Sequence, residues 1–332
     1  MRLLFPLQLL PDKHIINSKS LPIGEETVDI YINVQNFGPI EKAEIDLRPL
    51  TVFVGESNTG KTYLATHIYT VYRQTRNAYY LPTARSGIIQ IVTALQATRE
   101  GLDYLEVSTF SGMIADFLEQ IVNYKERKRP SSSIRRVAEQ LETELLEGRI
   151  EVKRPAPEAS PEFLYRPEQS EYTLRMSHSS AMVSELAPLV LFLRGIIKRG
   201  DLLIIEEPES HLHPGAQTKI AQTIARLVRA GVRVLITTHS NFLLQQIGNL
   251  IREGELRKHG ESTSESADYL KAEEVGAWQF HKNEPVTELP FDLIAGIEPE
   301  DHLDIAEDLY NRSAGLQNRI EQTKAELLTE LP

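Results

Sequence analysis

The chain has 332 residues, of which 41% are hydrophobic and 25% are charged, values typical of a globular protein with a substantial core. Acidic residues outnumber basic ones by 47 to 36, and the formal net charge of −11 excludes a general polycation that coats nucleic acid. The sequence contains no cysteine, which excludes disulfides, thiolate metal sites and cysteine nucleophiles and fits a cytoplasmic location.

Residues 1–27 are interpreted as an N-terminal extension. Their apolar start resembles a signal peptide, but Pro6 and Gln8 interrupt it and no small-residue cleavage site follows. No stretch of the chain approaches the roughly 20 apolar residues that span a bilayer. We therefore expect no membrane association.

The next segment, residues 28–54, is predicted to form three strands. Apolar residues alternate with polar ones over 28–34 and again over 43–47, the period of a half-buried strand. Residues 50–54 are more uniformly apolar, as expected of a parallel strand covered on both faces.

A phosphate-binding motif follows the third strand. It satisfies G-x-x-x-x-G-K-[ST] at every fixed position and comprises Gly55, Glu56, Ser57, Asn58, Thr59, Gly60, Lys61 and Thr62. The glycines allow backbone N–H groups to face an anion, and the helix predicted from Lys61 to about Arg76 directs its positive end there. Lys61 is expected to reach the β- and γ-phosphates and Thr62 to offer its hydroxyl to Mg²⁺. The sequence thus predicts binding of ATP and Mg²⁺.

Residues 81–150 are predicted to be mainly helical. One apolar stripe contains Ile88, Ile91, Val92 and Leu95, and a second contains Ile114, Phe117, Leu118 and Ile121. Four prolines predict a loop or linker over residues 153–168. A basic run comprises Lys125, Arg127, Lys128, Arg129, Arg135 and Arg136. It would contact DNA, RNA or an acidic partner, or form a solvated helix end.

A short buried strand predicted over 202–205 runs into Glu206, Glu207 and Glu209. Open α/β sheets place their ligands at the carboxyl ends of such strands. Glu206 is expected to hold Mg²⁺ through water, and Glu207 to orient or deprotonate the attacking water. A solvated acidic turn is the alternative, and Glu209 receives no chemical role.

Histidines occur in two further segments. His211 and His213 have the spacing of a zinc pair but lack companion ligands, so a turn beside the site is the other interpretation. A helix is predicted over 214–230 and a strand over 232–236. His239 follows that strand, where it would donate a hydrogen bond to a γ-phosphate.

In this order the segments resemble the ABC-type ATPase heads of the SMC, RecF and OLD group, in particular small prokaryotic AAA-family ATPases of the OLD-like type. The resemblance covers residues 28–310 and depends on four segments: residues 36–40, the P-loop, residues 206–214 as Walker B and D-loop, and residues 237–240 with the switch histidine. It implies an α/β P-loop NTPase with a mainly parallel central sheet, an antiparallel β portion and a helical lobe.

The resemblance also implies a signature serine that contacts the γ-phosphate of a second subunit. Ser179 and Ser180 match best, although Ala181 stands where relatives carry glycine. An ordinary serine N-cap is the alternative, and both interpretations can hold together. Glu206 replaces the aspartate of the wider family and keeps its charge.

The implied organisation is ATPase lobe I with the P-loop at 28–80, a helical insertion lobe and Pro-rich linker at 81–170, lobe II at 171–298 and a C-terminal helix at 299–332. The stretch between Lys61 and Ser179 is too short for a coiled-coil arm, and the residues after His239 show no acidic triad of a Toprim nuclease.

The implied activity is ATP hydrolysis by a homodimer or higher homo-oligomer. Two roles stay open. One is gating of a separate effector protein, a nuclease or toxin, in prokaryotic genome defence. The other is a DNA-binding clamp of the RecF or SMC type in repair or recombination. A small-molecule kinase would share the P-loop but not the later segments, and a transporter ATPase subunit is the remaining alternative.

Overall fold

The computed structural model describes residues 30–96, 112–126, 133–154, 161–261 and 268–329. The extension predicted for residues 1–27 lies outside these ranges, as do Arg127, Lys128 and Arg129 of the basic run. Within them, no helix is both long enough and apolar enough to cross a membrane.

The secondary structure alternates between strands and helices, as predicted for an α/β protein. The strands are β1 Ile30–Phe37, β2 Ile40–Leu47, β3 Leu50–Gly55, β4 Ala78–Leu81, β5 Gly148–Lys153, β6 Glu162–Pro167, β7 Leu174–Arg175, β8 Leu202–Glu206, β9 Arg233–Thr238, β10 Val275–Phe280 and β11 Thr287–Leu289. The α-helices are α1 Lys61–Arg73, α2 Arg85–Gln96, α3 Met113–Val122, α4 Ser133–Leu141, α5 Ala181–Leu191, α6 Pro214–Arg229, α7 Asn241–Lys258 and α8 Glu300–Thr329.

The central sheet has the strand order β11-β10-β3-β9-β8-β4, in which every strand but β11 is parallel to its neighbours. All residues of β3 and β8 are buried, because both strands are apolar runs covered on two faces. The predicted fold class is confirmed. The carboxyl ends of β3, β9, β8 and β4 meet along one edge of this sheet.

Two smaller antiparallel sheets flank the central one. The first pairs β1 with β2 in the register Val34↔Ala43, and both residues are fully buried. The second has the order β5-β6-β7. The prediction of a loop throughout 153–168 is wrong at β6, where Phe163 is buried opposite Val152. Pro161 lies just before this strand and Pro167 is its last residue. At these positions a proline leaves the hydrogen-bond ladder intact.

The helices predicted within 81–150 are confirmed as α2, α3 and α4. On α2 the predicted stripe is partly wrong, since Ile91 is 57% exposed while Ile89 and Val92 are fully buried. On α3 the predicted stripe is buried at Phe117, Leu118 and Ile121. The packing of α3 therefore follows the helical periodicity that the sequence shows.

The C-terminal helix is confirmed as α8, and its described apolar residues face solvent. Leu309 is 63% exposed, Leu316 52% and Ile320 55%.

Candidate active site

The candidate site lies at the carboxyl edge of the central sheet, where parallel sheets bind ligands. The P-loop follows β3, Glu206 ends β8, and His239 follows β9. Because β9 lies between β3 and β8, the fold brings together segments that are far apart in sequence.

The P-loop has backbone conformations that favour glycine. Gly55 has φ 137°, and a Cβ there would lie 2.3 Å from the carbonyl oxygen of Phe280. Gly60 has φ 103°, and a Cβ there would meet Ile40 at 2.7 Å. Asn58 adopts φ 64°, and the Thr59 hydroxyl donates to the Glu56 carbonyl at 2.8 Å. The loop is therefore preformed, with α1 starting directly behind it.

Lys61 is buried inside this loop. Its Nζ donates to the Gly55 carbonyl at 2.7 Å and to the Glu56 carbonyl at 2.6 Å. Desolvation lowers the pKa of Lys61 to about 8, although Glu207, Glu209 and Glu56 act in the opposite direction. Because the Lys61 ammonium is buried, its attraction to an anionic ligand bound in this loop would be stronger than in water.

We expect ATP binding to take up a proton near pH 8. Free Lys61 has a pKa of about 8, and phosphate oxygens would raise it, so the complex holds more protons than the free protein. Calorimetry in buffers of different ionisation enthalpy should show uptake of about half a proton per ATP at pH 8. Uptake should be much smaller at pH 7, where Lys61 is already mostly protonated. A binding heat at pH 8 that does not depend on the buffer would contradict this expectation.

Glu206 is 3% exposed, and its two oxygens differ. Oε2 accepts from the N–H and the hydroxyl of Thr83, both at 3.1 Å, whereas the buried Oε1 has no hydrogen-bond partner among the described residues. An oxygen left in this state fits a Mg²⁺ site, because Mg²⁺ takes oxygen ligands and retains water.

Thr62, whose side chain is exposed at the start of α1, would share that Mg²⁺ with Glu206 and the nucleotide. Within the described ranges no group of three acidic or histidine residues could hold a metal. Bound there, Mg²⁺ would neutralise the charge of the phosphates. The sequence alone does not single out Thr83, which lies two residues after the end of β4.

Glu207 occupies a strained turn after β8. Its φ is 41°, and its N–H donates to the Thr237 carbonyl at 3.0 Å. Carboxylate Oε2 accepts from the Ser210 hydroxyl at 3.1 Å, and Oε1 lies 3.6 Å from Nε2 of His239. Oε2 is thereby oriented, while Oε1 lies beside His239. The side chains of Glu207 and His239 are each about one third exposed. This arrangement can orient or deprotonate a water molecule.

Glu209, which received no chemical role in the sequence, holds the segment that carries His239. Its Oε1 accepts from the His239 N–H at 2.8 Å and from the Thr238 hydroxyl at 2.6 Å. Burial raises the pKa of Glu209. Only the fold reveals this contact, because Glu209 and His239 follow different strands.

The segment with His211 and His213 forms a turn. The Nδ1 of His213 accepts from the Gly215 N–H at 3.3 Å and caps α6. His211 is exposed with φ 61°. These contacts favour the turn interpretation over a zinc pair.

Ser179 and Ser180 lie at the N-terminus of α5. The Ser180 hydroxyl accepts from the Val183 N–H at 3.2 Å, which confirms the N-cap interpretation. The Ser179 hydroxyl donates to the Met176 carbonyl at 2.7 Å. Among the described residues, none of their side-chain hydrogen bonds reaches the P-loop, and contact with a second subunit stays a prediction.

Comparison with protein families gives two matches in chain order. Residues 30–114 match the family described as "AAA ATPase domain". Residues 111–245 match the family described as "AAA domain, putative AbiEii toxin, Type IV TA system". No curated protein matches the chain.

Among solved structures, an SMC head domain from Pyrococcus furiosus, bound to the C-terminal domain of ScpA, is 11% identical with a TM-score of 0.46 and covers 84% of this chain and 98% of its own. The SMC head domain from Thermotoga maritima is 11% identical with a TM-score of 0.38, covering 78% and 97%. A dimeric bacterial ABC transporter cassette is 12% identical with a TM-score of 0.40, covering 83% and 97%.

The first family match includes the P-loop, and the second includes the acidic strand end and His239. These matches confirm the resemblance to AAA-type ATPase domains that the sequence shows.

Proposed function

We propose that the protein is an ATPase that dimerises around ATP and uses hydrolysis to gate a separate effector protein. The observation that carries the ATPase activity is the pairing of Glu207 with His239 at 3.6 Å, on the sheet edge that also bears the P-loop. A carboxylate beside the γ-phosphate position activates water, and the imidazole donates to the phosphate.

In this proposal two chains bind head to tail, so that each ATP lies between the P-loop of one chain and Ser179 and Ser180 of the other. The N-terminus of α5 suits this role because helix N-termini attract anions. ATP must favour the closed dimer by roughly 5 kcal/mol to convert a mostly open population into a mostly closed one. Several charge-assisted hydrogen bonds of about 1.5–3 kcal/mol each supply that difference.

Mixing two inactive variants tests the shared site. Lys61→Ala should weaken ATP binding at a chain's own P-loop and prevent hydrolysis there, and Ser180→Arg should block completion of the partner's site. A dimer of one variant with the other retains one complete site, so the mixture is expected to hydrolyse ATP although neither variant does so alone. Phosphate release measures the result. A mixture as inactive as its components, despite dimers in light scattering, would contradict the shared site.

The proposed role is genome defence through an effector such as a nuclease or toxin, which the description of the family matching residues 111–245 supports. Co-expression with the product of a neighbouring gene tests this role. We expect the two proteins to form a complex with Mg²⁺ and ATP that releases an active effector upon hydrolysis. An effector whose activity is independent of this protein and of ATP would contradict the gating role.

A DNA clamp receives less support from the basic run. Arg135 forms ion pairs with Glu126 at 3.0 Å and Glu139 at 3.3 Å, which reduces the positive charge that it presents to phosphates. Lys125 and Arg136 are exposed. DNA-stimulated hydrolysis that disappears when these residues are neutralised would favour the clamp over the effector gate.

A further inference from the structure

Arg85, the first residue of α2, is the largest fully buried side chain in the described part of the protein, with 1% exposure. It follows β4 and contacts the end of β8 at Glu206 and the turn at Glu207. Its ion-pair partner is Glu185 of α5, whose side chain is completely buried, with Nη2 and Oε1 2.5 Å apart. A buried charge pair of this kind is expensive in desolvation free energy unless its hydrogen bonds are complete.

Arg85 donates four hydrogen bonds, all of them to backbone carbonyls. Nε donates to the Glu185 carbonyl at 3.3 Å, and Nη1 donates to the carbonyls of Pro82 at 3.1 Å and Glu206 at 2.6 Å. Nη2 donates to the Glu207 carbonyl at 3.1 Å and pairs with the Glu185 carboxylate. The rigid guanidinium fork is therefore fixed by four carbonyl acceptors, two of which belong to the residues that the proposed mechanism uses.

The hydrogen bond from Arg85 to the Glu207 carbonyl acts on a strained part of the backbone. Glu207 has φ 41°, a conformation that a residue with a Cβ rarely adopts unless its surroundings hold it. Arg85 holds the carbonyl side of this residue, and the Thr237 carbonyl holds its N–H. The direction of the Glu207 carboxylate depends on this backbone conformation.

The same guanidinium also pairs with a residue of α5, which is named the signature helix here because its N-cap, Ser180, is a predicted signature serine. Glu185 lies in α5 little more than one turn after Ser180, the N-cap. A displacement of the α5 N-terminus would move Glu185, and Arg85 would transmit that movement to Glu207. A helix is stiff enough to carry this displacement over one turn.

We propose that Arg85 is a positioning residue for Glu207. Its ion pair with Glu185 couples α5, the signature helix, to the turn at Glu207, the catalytic turn. This inference rests on the proposed ATPase function. It makes hydrolysis depend on the placement of α5, which a second subunit would set when it supplies its ATP.

The Arg85→Lys variant tests the positioning role, because lysine keeps the charge but has three donors instead of a planar fork. We expect kcat for ATP to fall about 10- to 100-fold, with KM changed less than about twofold. The matched control is Arg194→Lys. Arg194 is also largely buried, pairs with Glu142 at 3.2 Å and donates to the Ile150 carbonyl at 2.6 Å, away from the catalytic turn. It should lower the melting temperature and leave kcat unchanged.

Combination with Glu207→Gln separates positioning from general destabilisation. If Arg85 acts through Glu207, Arg85→Lys should lower the residual rate of the Glu207→Gln protein very little, since residues that act as a unit are not additive. Glu185→Gln, which keeps the shape of the side chain, provides a second variant if Arg85→Lys does not fold. It is expected to lower kcat without weakening ATP binding.

Unchanged kcat in Arg85→Lys, or an equal loss with and without Glu207, would overturn the positioning role. Wild-type protein that does not hydrolyse Mg²⁺-ATP would instead overturn the proposed function. The two failures are therefore distinguishable.

Discussion

Replacing Glu207 with glutamine is expected to lower kcat for ATP hydrolysis about 100- to 10,000-fold, the contribution of a positioned general base. Glutamine keeps the shape of the side chain but cannot accept the proton of the attacking water. ATP binding does not need that step, so the ATP-bound dimer should persist. Phosphate release measures the first effect, and light scattering with Mg²⁺-ATP measures the second.

Glu151→Gln is the matched control for this variant. Glu151 is also a partly exposed carboxylate, with 27% side-chain exposure, but it pairs with Arg166 in the β5-β6-β7 sheet. Its replacement should leave turnover unchanged. Wild-type turnover in the Glu207→Gln protein would refute the catalytic assignment.

Replacing Lys61 with alanine is expected to weaken ATP binding about 10- to 150-fold, since each charge-assisted hydrogen bond to a phosphate contributes about 1.5–3 kcal/mol. The loss should be larger at pH 7 than at pH 9, because desolvation lowers the pKa of wild-type Lys61 to about 8 and the wild-type charge is partly lost at pH 9. Titration with a fluorescent ATP analogue provides the dissociation constants.

The control is Lys42→Ala, in which an exposed lysine paired with Glu44 is removed. It should bind ATP as the wild type does, and its melting temperature should change little because surface ion pairs contribute little stability. Equal affinity of the Lys61→Ala and wild-type proteins would exclude the P-loop as the nucleotide site.

Sequence patterns were sufficient where a local rule fixes the structure. The run Leu50–Gly55 followed by the P-loop glycines and Lys61 specifies strand, anion loop and helix within a short segment. Ser180 specified a helix start because a serine N-cap satisfies a local backbone N–H. Patterns were insufficient for β4 and β10, which were not predicted, and for β6, where the prolines obscured a strand.

The site shows the same division. Glu207 and His239 were identified because each follows an apolar strand, and parallel strands deliver their carboxyl ends to one edge. Their 3.6 Å separation depends on β8 and β9 being neighbours, which no local pattern states. Arg85, Thr83 and Glu209 were not identified, because their partners lie on other strands and helices.

The sequence by itself determined the P-loop, the acidic end of β8 and the position of His239 after β9, since each depends on residues that are adjacent in the chain. Only the tertiary structure decided which groups orient them. Arg85 contacts Glu206, Glu207 and Glu185 because the strand order of the sheet places β4 beside β8. A buried guanidinium needs hydrogen-bond acceptors, and here the tertiary structure supplies them.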